Sequence, residues 1–363
     1  MTLPAFMTKI RSRVEQEFKK TLYRNLVFKG GGVRGIAYIG ALEVLEEEGI
    51  LDNIERVAGA SAGAIAATLT SFRLSVHETK QLFLSLDITR VPQTSVENGR
   101  KRRLPLSEEN ACMRRFFDHY GWYSSQYFHH WLENVIALQC DGNRRATFAD
   151  FERQGFRKLY IVAANISRQR SEVFSAETTP DVAVADAVRM SMSIPLFFEA
   201  LRFDGKQFGD GDYYVDGGLY DNFPTHIFDQ PAYAARNWAF RDGVNWETLG
   251  FFLRQQEADE DKGPDIPEDV WQFLSLAARN LYHSHQMSAY ETNPIDKNRT
   301  IEISDCGIPA VDFDIEPGSE KHRMLYESGR HAVQEFFNLP FQDAPGMKIL
   351  AEYRPRYLPV RKA

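Results

Sequence analysis

Two short apolar runs, each ending in small residues and each followed by a helical pattern, lie in tandem near the start of this 363-residue chain. Asn25 to Lys29 reads as a buried strand, Gly30 to Gly35 as a glycine loop and Ile36 to Glu48 as a helix. Glu55 to Ala60 reads as a second strand, running directly into Ser61 and an alanine-rich helix from Ala62 to Phe72. Strand, glycine turn, helix, strand, sharp turn, helix is a βαβα unit, and parallel neighbours joined this way cross over right-handedly. The expectation is an α/β fold with a mainly parallel central sheet, both small-residue turns opening at the carboxyl edge of the strands.

Later segments extend the pattern. Leu159 to Asn165, Phe208 to Val215, Leu249 to Leu253 and Thr300 to Ile303 read as strands, and Asp181 to Ser193, about 268 to 290 and 319 to 337 as helices. The stretch from about 88 to 146 breaks the strand rhythm and carries eight aromatic residues between Phe116 and Trp131, so it reads as a helical insertion. Core packing is the plainer reading for most of these rings, and the lining of an apolar channel or an interfacial lid the sharper one. The expected sections are an N-terminal basic amphipathic helix (1–22), a main domain (23–245) and a continuation of strands and helices (246–363). In the first helix Ile10, Val14, Phe18 and Leu22 form a narrow apolar stripe among lysines and arginines. Docking onto the domain is the plainer account of it, and peripheral contact with an anionic membrane the sharper.

Hydrophobic residues make up 43% of the chain and the net charge is -7, which suits a globular protein and argues against a nucleic-acid partner. Basic clusters at Lys9 to Arg24, Arg100 to Arg103 and Arg354 to Lys362, and the acidic run Glu257 to Asp261, read mainly as solvated surface. Three separated cysteines, Cys112, Cys140 and Cys306, fit free thiols in a reducing compartment and offer no metal-ligand pair. With no apolar leader segment and no run of about 18 apolar residues, the expected location is cytoplasmic, signal-independent secretion being left open.

Gly59-Ala60-Ser61-Ala62-Gly63 fits G-x-S-x-G, the strand-to-helix elbow that exposes a nucleophilic serine at the positive end of a helix. Gly30, Gly31, Gly32, Val33, Arg34 and Gly35 lie one strand earlier, where backbone N–H groups freed of side chains can converge on an oxyanion, above all around Gly31, Gly32 and Val33. A dinucleotide fingerprint is the rival reading of that loop, but it wants an acidic residue closing the second strand, where this chain has Ser61. Arg34 reads as a salt-bridging anchor for the loop, or as a phosphate contact.

A serine nucleophile needs a base. Of nine histidines the best placed is His226, which sits in an expected helix after Pro224 and reads more readily as structural. Asp216 ends a strand before Gly217 and Gly218, so its carboxylate can stand at the sheet edge. Asp210 and Asp212 fall in a hairpin turn, Gly209 to Asp212, and do not match a calcium loop. Neither a metal nor a cofactor is implied.

These motifs resemble the patatin-like phospholipase family, whose pattern is G-G-G-x-R/K-G, then G-x-S-x-G, then D-G-[GA]. Gly30 to Gly35, Gly59 to Gly63 and Asp216-Gly217-Gly218 supply all three in that order. Asp186 to Pro195 and Asn222-Phe223-Pro224 are similar to further family segments. The resemblance implies a three-layer α/β/α sandwich and a Ser61-Asp216 dyad with no histidine. It further implies a phospholipid or lysophospholipid substrate and hydrolysis through an acyl-enzyme. It leaves any activating protein partner unknown. Lys29 stands where many members have aspartate. A Ser-His-Asp esterase using His226, and a silent lipid-binding scaffold, are the alternatives.

Overall fold

The computed structural model describes residues 18, 20–93, 106–256 and 290–339, with side chains of 106–109 excepted. Most of the N-terminal stripe, the basic clusters at 100–103 and 354–362, the acidic run 257–261 and the expected helix from 268 lie outside the described residues. At the inner end of the N-terminal stripe, Phe18 stacks on Trp238 and Leu22 is buried, so that end docks on the domain.

The strands in chain order are β1 (Asn25–Phe28), β2 (Arg56–Ala60), β3 (Gly121–Tyr123), β4 (Lys158–Asn165), β5 (Arg170–Phe174) and β6 (Leu196–Phe198). After them come β7 (Leu201–Phe203), β8 (Asp212–Asp216), β9 (Phe240–Arg241), β10 (Val244–Asn245), β11 (Thr248–Arg254) and β12 (Thr300–Ser304). The main sheet runs β12-β11-β1-β2-β4-β8-β7, with β5 also paired to β4. From β12 to β4 every pairing is parallel, and β5, β7 and β8 join antiparallel. The expected mixed α/β fold with a mainly parallel central sheet is therefore present.

Continuous apolar strands are what a sheet covered on both faces demands. Leu26, Phe28, Val57 and Ile161 turn to one face, where the helices Ile36–Glu47, Ala62–Ser71 and Val184–Ser191 contribute to the larger core. Val27, Ala58, Tyr160 and Val162 turn to the other, against Ile227 and Phe228 of a short 3-10 segment. The two small-residue turns open at the carboxyl ends of β1 and β2, between these two layers.

The Ile36–Glu47 helix is fixed from outside by the long helix Glu320–Asn338, through close backbone contact at two glycines. A Cβ at Gly329 would overlap the Ala37 carbonyl, and one at Gly40 the Tyr326 carbonyl. Helix propensity alone would make Gly329→Ala stabilising by about 1 kcal/mol. The overlap reverses the sign, so the variant is expected to lose about 1–3 kcal/mol, read as a lower urea midpoint at unchanged slope.

Candidate active site

Ser61 leaves β2 with φ 53° and ψ −126°, a left-handed backbone that side chains rarely adopt. The flanking glycines are what permit it: a Cβ at Gly59 would strike the Gly63 carbonyl, and one at Gly63 the Phe28 carbonyl of β1. Turn and neighbouring strand thus touch backbone to backbone. The Ser61 N–H donates to Ser191 Oγ at 2.9 Å, and Ser191 Oγ donates to the Val162 carbonyl at 2.6 Å, tying the elbow to β4.

The glycine loop closes over this turn. Gly30 lies so near Ser61 that an added Cβ would sit 2.8 Å from the serine Cβ, and Asn222 fills the other side. Asn222 holds Gly30 twice, accepting from its N–H at 3.1 Å and donating from Nδ2 to its carbonyl at 3.2 Å. Gly32 has φ 59° and its missing Cβ faces the Ala310 carbonyl, so glycine is required there. That same carbonyl accepts from the Val33 N–H at 3.0 Å. Val33, expected among the oxyanion donors, and Gly30 therefore spend their N–H groups on backbone. The N–H groups of Gly31 and Gly32 stand at the open start of the 3-10 turn Gly32–Gly35, where amides have no intrahelical acceptor. Arg34 anchors the turn, its Nε donating to the Ile308 carbonyl at 2.7 Å and a terminal nitrogen lying 3.1 Å from Asp305.

Asp216 closes β8 and is fully buried. Its Oδ1 accepts from the Gly218 N–H at 2.8 Å and its own N–H donates to the Ser193 carbonyl at 2.8 Å. Register places it beside Ser61: Ala60 pairs with Val162, and the next residue of β4, Ala163, pairs with Asp216. Two strand spacings, about 10 Å between main chains, separate the two residues, and their side chains can together span most of that gap. Gly217 packs on the same Val162 carbonyl that receives Ser191. The expected strand from Phe208 begins at Asp212 instead, because Gly209 and Gly211 take φ 121° and 85° and turn the hairpin there. Asp212 binds Arg168 and the Asn165 amide, and no cluster able to hold a metal occurs among the described residues.

A serine at a strained elbow thus stands beside a glycine loop, with a buried aspartate one strand beyond, and comparison with known proteins assigns the kin of the chain that carries them. The patatin-like phospholipase family model matches residues 26–229. The chain belongs to the patatin-like phospholipase family. An uncharacterized protein of Acanthamoeba polyphaga mimivirus is 22% identical over 88% of this chain and 95% of its own length. A probable lipid hydrolase of Invertebrate iridescent virus 6 is 28% identical over 58% of this chain and 64% of its own. The crystal structure of VipD from Legionella pneumophila shares the fold at TM-score 0.55 and 18% identity, covering 87% of this chain and 67% of that one. Membership of this family supports lipid hydrolase activity.

In this patatin-like chain an apolar cavity begins at Ser61 and Gly32 and is walled by Ile65, Phe83, Leu86, Phe128, Met192 and Phe313. Of the eight aromatics in the insertion only Phe128 lines it. Trp131 is buried with its Nε1 donating to Ser85, while Phe117 is 71% exposed. Wall residues such as Leu86 and Phe313 carry no motif, so no local signal in the sequence marks them. No helix among the described residues is long and apolar enough to cross a membrane.

His226 falls outside this centre. It lies in the 3-10 segment Thr225–Phe228, where an α-helix was expected, is largely exposed, and faces Asp221 at 3.7 Å. His129, by contrast, is buried against Asp186 at 2.8 Å, a carboxylate also gripped by Arg145. That network braces the helix bearing Ser191.

Lys29, the departure from the family pattern, is only 5% exposed. Burial, reinforced by the charge of Arg34, pushes its ammonium down to about 7, with Asp305 opposing. An unfolded lysine still holds its proton up to about 10.4, so below pH 7 folding must bury the charge, and the penalty shrinks as pH rises from 7 toward 10. Lys29→Met is expected to raise the denaturation midpoint more at pH 6 than at pH 10, measured by urea titration at both.

Proposed function

We propose that the chain hydrolyses fatty-acyl esters of phospholipids or lysophospholipids through Ser61 and Asp216. The observation that carries the reading is the strained Ser61 turn, set between the Gly31 and Gly32 amides and the mouth of an apolar cavity. In the first half-reaction Ser61 Oγ attacks the ester carbonyl carbon while Asp216 takes the hydroxyl proton. Charge developing on the carbonyl oxygen is met by the Gly31 and Gly32 N–H groups and the start of the Ala62–Ser71 helix. Collapse of the adduct breaks the bond to the alcohol, which leaves with the proton from Asp216. Water then gives a proton to the same carboxylate, attacks the acyl-enzyme and releases the fatty acid, and Ser61 regains its proton.

A Ser-His-Asp arrangement is disfavoured by the exposure of His226 and its pairing with Asp221. The apolar wall suits an acyl chain, whose burial is worth about 0.8 kcal/mol per methylene. The test is a fluorophosphonate reaction followed by peptide mass spectrometry, beside product analysis on phosphatidylcholine, lysophosphatidylcholine and triacylglycerol vesicles. An adduct on Ser61 together with free fatty acid from the phospholipids is expected; labelling at another residue would reject the assignment.

A further inference from the structure

On the sheet face opposite the acyl cavity, a second cavity of about 240 Å³ opens beside the catalytic loops. That is far above the roughly 10–15 Å³ needed by one water. Gly218 of the aspartate motif and Asn222, the residue clasping Gly30, form the wall it shares with the centre, and Lys29, Asp221, Asp296 and Tyr290 line the rest. The Lys29 ammonium is offered little there: the Gly30 carbonyl at 3.4 Å and the Phe252 ring 4.7 Å away. No carboxylate lies within ion-pair distance of it among the described residues. A charge so buried is costly unless a counter-charge meets it.

The remaining lining carries the opposite sign. Asp221 is half-buried, desolvation holding its carboxyl above the usual range, and the His226 imidazole at the rim lies 3.7 Å from it. Asp296 is bound by Arg299 and Thr225. A simple anion entering this space would meet Lys29 but face Asp221; a simple cation would meet Asp221 but face Lys29. A ligand with both signs a few bonds apart satisfies both ends.

We infer that this cavity is a headgroup subsite for an amine-bearing phosphodiester, its anionic oxygen on Lys29 Nζ and its ammonium toward Asp221. The inference rests on the lipid hydrolase reading and adds the headgroup class to it. Lys29, which lowers stability while the cavity is empty, gains its counter-charge from the ligand. Since the empty-site amine titrates near 7 under the influence of Arg34 and Asp305, anion binding holds the proton on Lys29 and weakens as pH rises above neutrality. Asp221, His226, Asp296, Tyr220 and Tyr290 are the other titratable groups lining the cavity.

Calorimetric titration of full-length Ser61→Ala protein with glycerophosphoethanolamine, inorganic phosphate and ethanolamine tests this without turnover. Glycerophosphoethanolamine should bind more tightly than either fragment, and more tightly at pH 7 than at pH 9. Lys29→Gln in that background should weaken it at least tenfold and Asp221→Asn severalfold. Equal binding of inorganic phosphate, with Asp221→Asn silent, would make the cavity a free-phosphate site and overturn the proposal, as would an affinity untouched by Lys29→Gln. Should Lys29→Gln fail to fold, the Asp221→Asn result and the pH series decide. A missing fluorophosphonate adduct on Ser61 would sink the hydrolase reading alone, while absent headgroup binding beside an intact adduct would sink only the subsite.

Discussion

Ser61→Ala is expected to lower phospholipid hydrolysis by about 10⁴-fold or more, the scale at which loss of a covalent nucleophile leaves only binding and oxyanion contacts. The apolar cavity and the loop amides do not depend on the hydroxyl, so affinity for a non-hydrolysable substrate analogue should stay within about threefold. A second substitution separates chemistry from backbone strain. Ser61 sits at φ 53°, a conformation costing on the order of 1–3 kcal/mol for a residue with a Cβ, and Ser61→Ala keeps that cost. Ser61→Gly removes it, less roughly 0.5–1 kcal/mol of added chain entropy. The glycine variant is therefore expected to be as inactive as the alanine one yet more stable by about 1 kcal/mol in urea unfolding. Equal stability of the two would mean the elbow is not strained, and residual activity above about 1% in either would mean another nucleophile acts.

Much of the framework around that serine was readable because its local and global demands coincide. Leu26, Val27 and Phe28 of β1 and Val57, Ala58 and Ala60 of β2 lie between two covered faces and are apolar without alternation, and the glycines in and after these strands stand where a Cβ would clash. Thr248–Arg254 and Glu320–Asn338 emerged close to the expected bounds for the same reason: a central strand and an amphipathic helix each carry their own period. Bounds failed where hydrogen bonds outside the element decide them. The helix expected from Asp181 starts at Val184, since the Ala183 neighbourhood is held by a bridge to Thr147.

What stayed hidden depends on partners far along the chain. Nothing local marks Asn222 as the clasp on Gly30, 192 residues away, or shows that Ala310 consumes the Val33 N–H. In the sequence Lys29 is only a departure from the aspartate of many family members. Only the packing of Phe252 over it shows a buried ammonium, and only the cavity beyond it gives that charge something to meet.

Asp216→Asn bears on the other half of the proposed dyad, and its expected effect is a loss of about 10³–10⁴ in kcat. The substitution keeps shape, and the amide oxygen can still accept from the Gly218 N–H, so the turn at 2.8 Å should survive. What it removes is a site for a proton. The KM for a lipid ester should move little, because the apolar cavity contributes binding and the carboxylate does not. Because one carboxylate is assigned both the Ser61 proton and the water proton, acylation and deacylation should slow together. A fluorophosphonate, which also needs an activated serine, should label Asp216→Asn slower by a comparable factor. A pre-steady-state burst in the variant would mean that deacylation alone had suffered, in which case Asp216 serves only the water step and a different group activates Ser61.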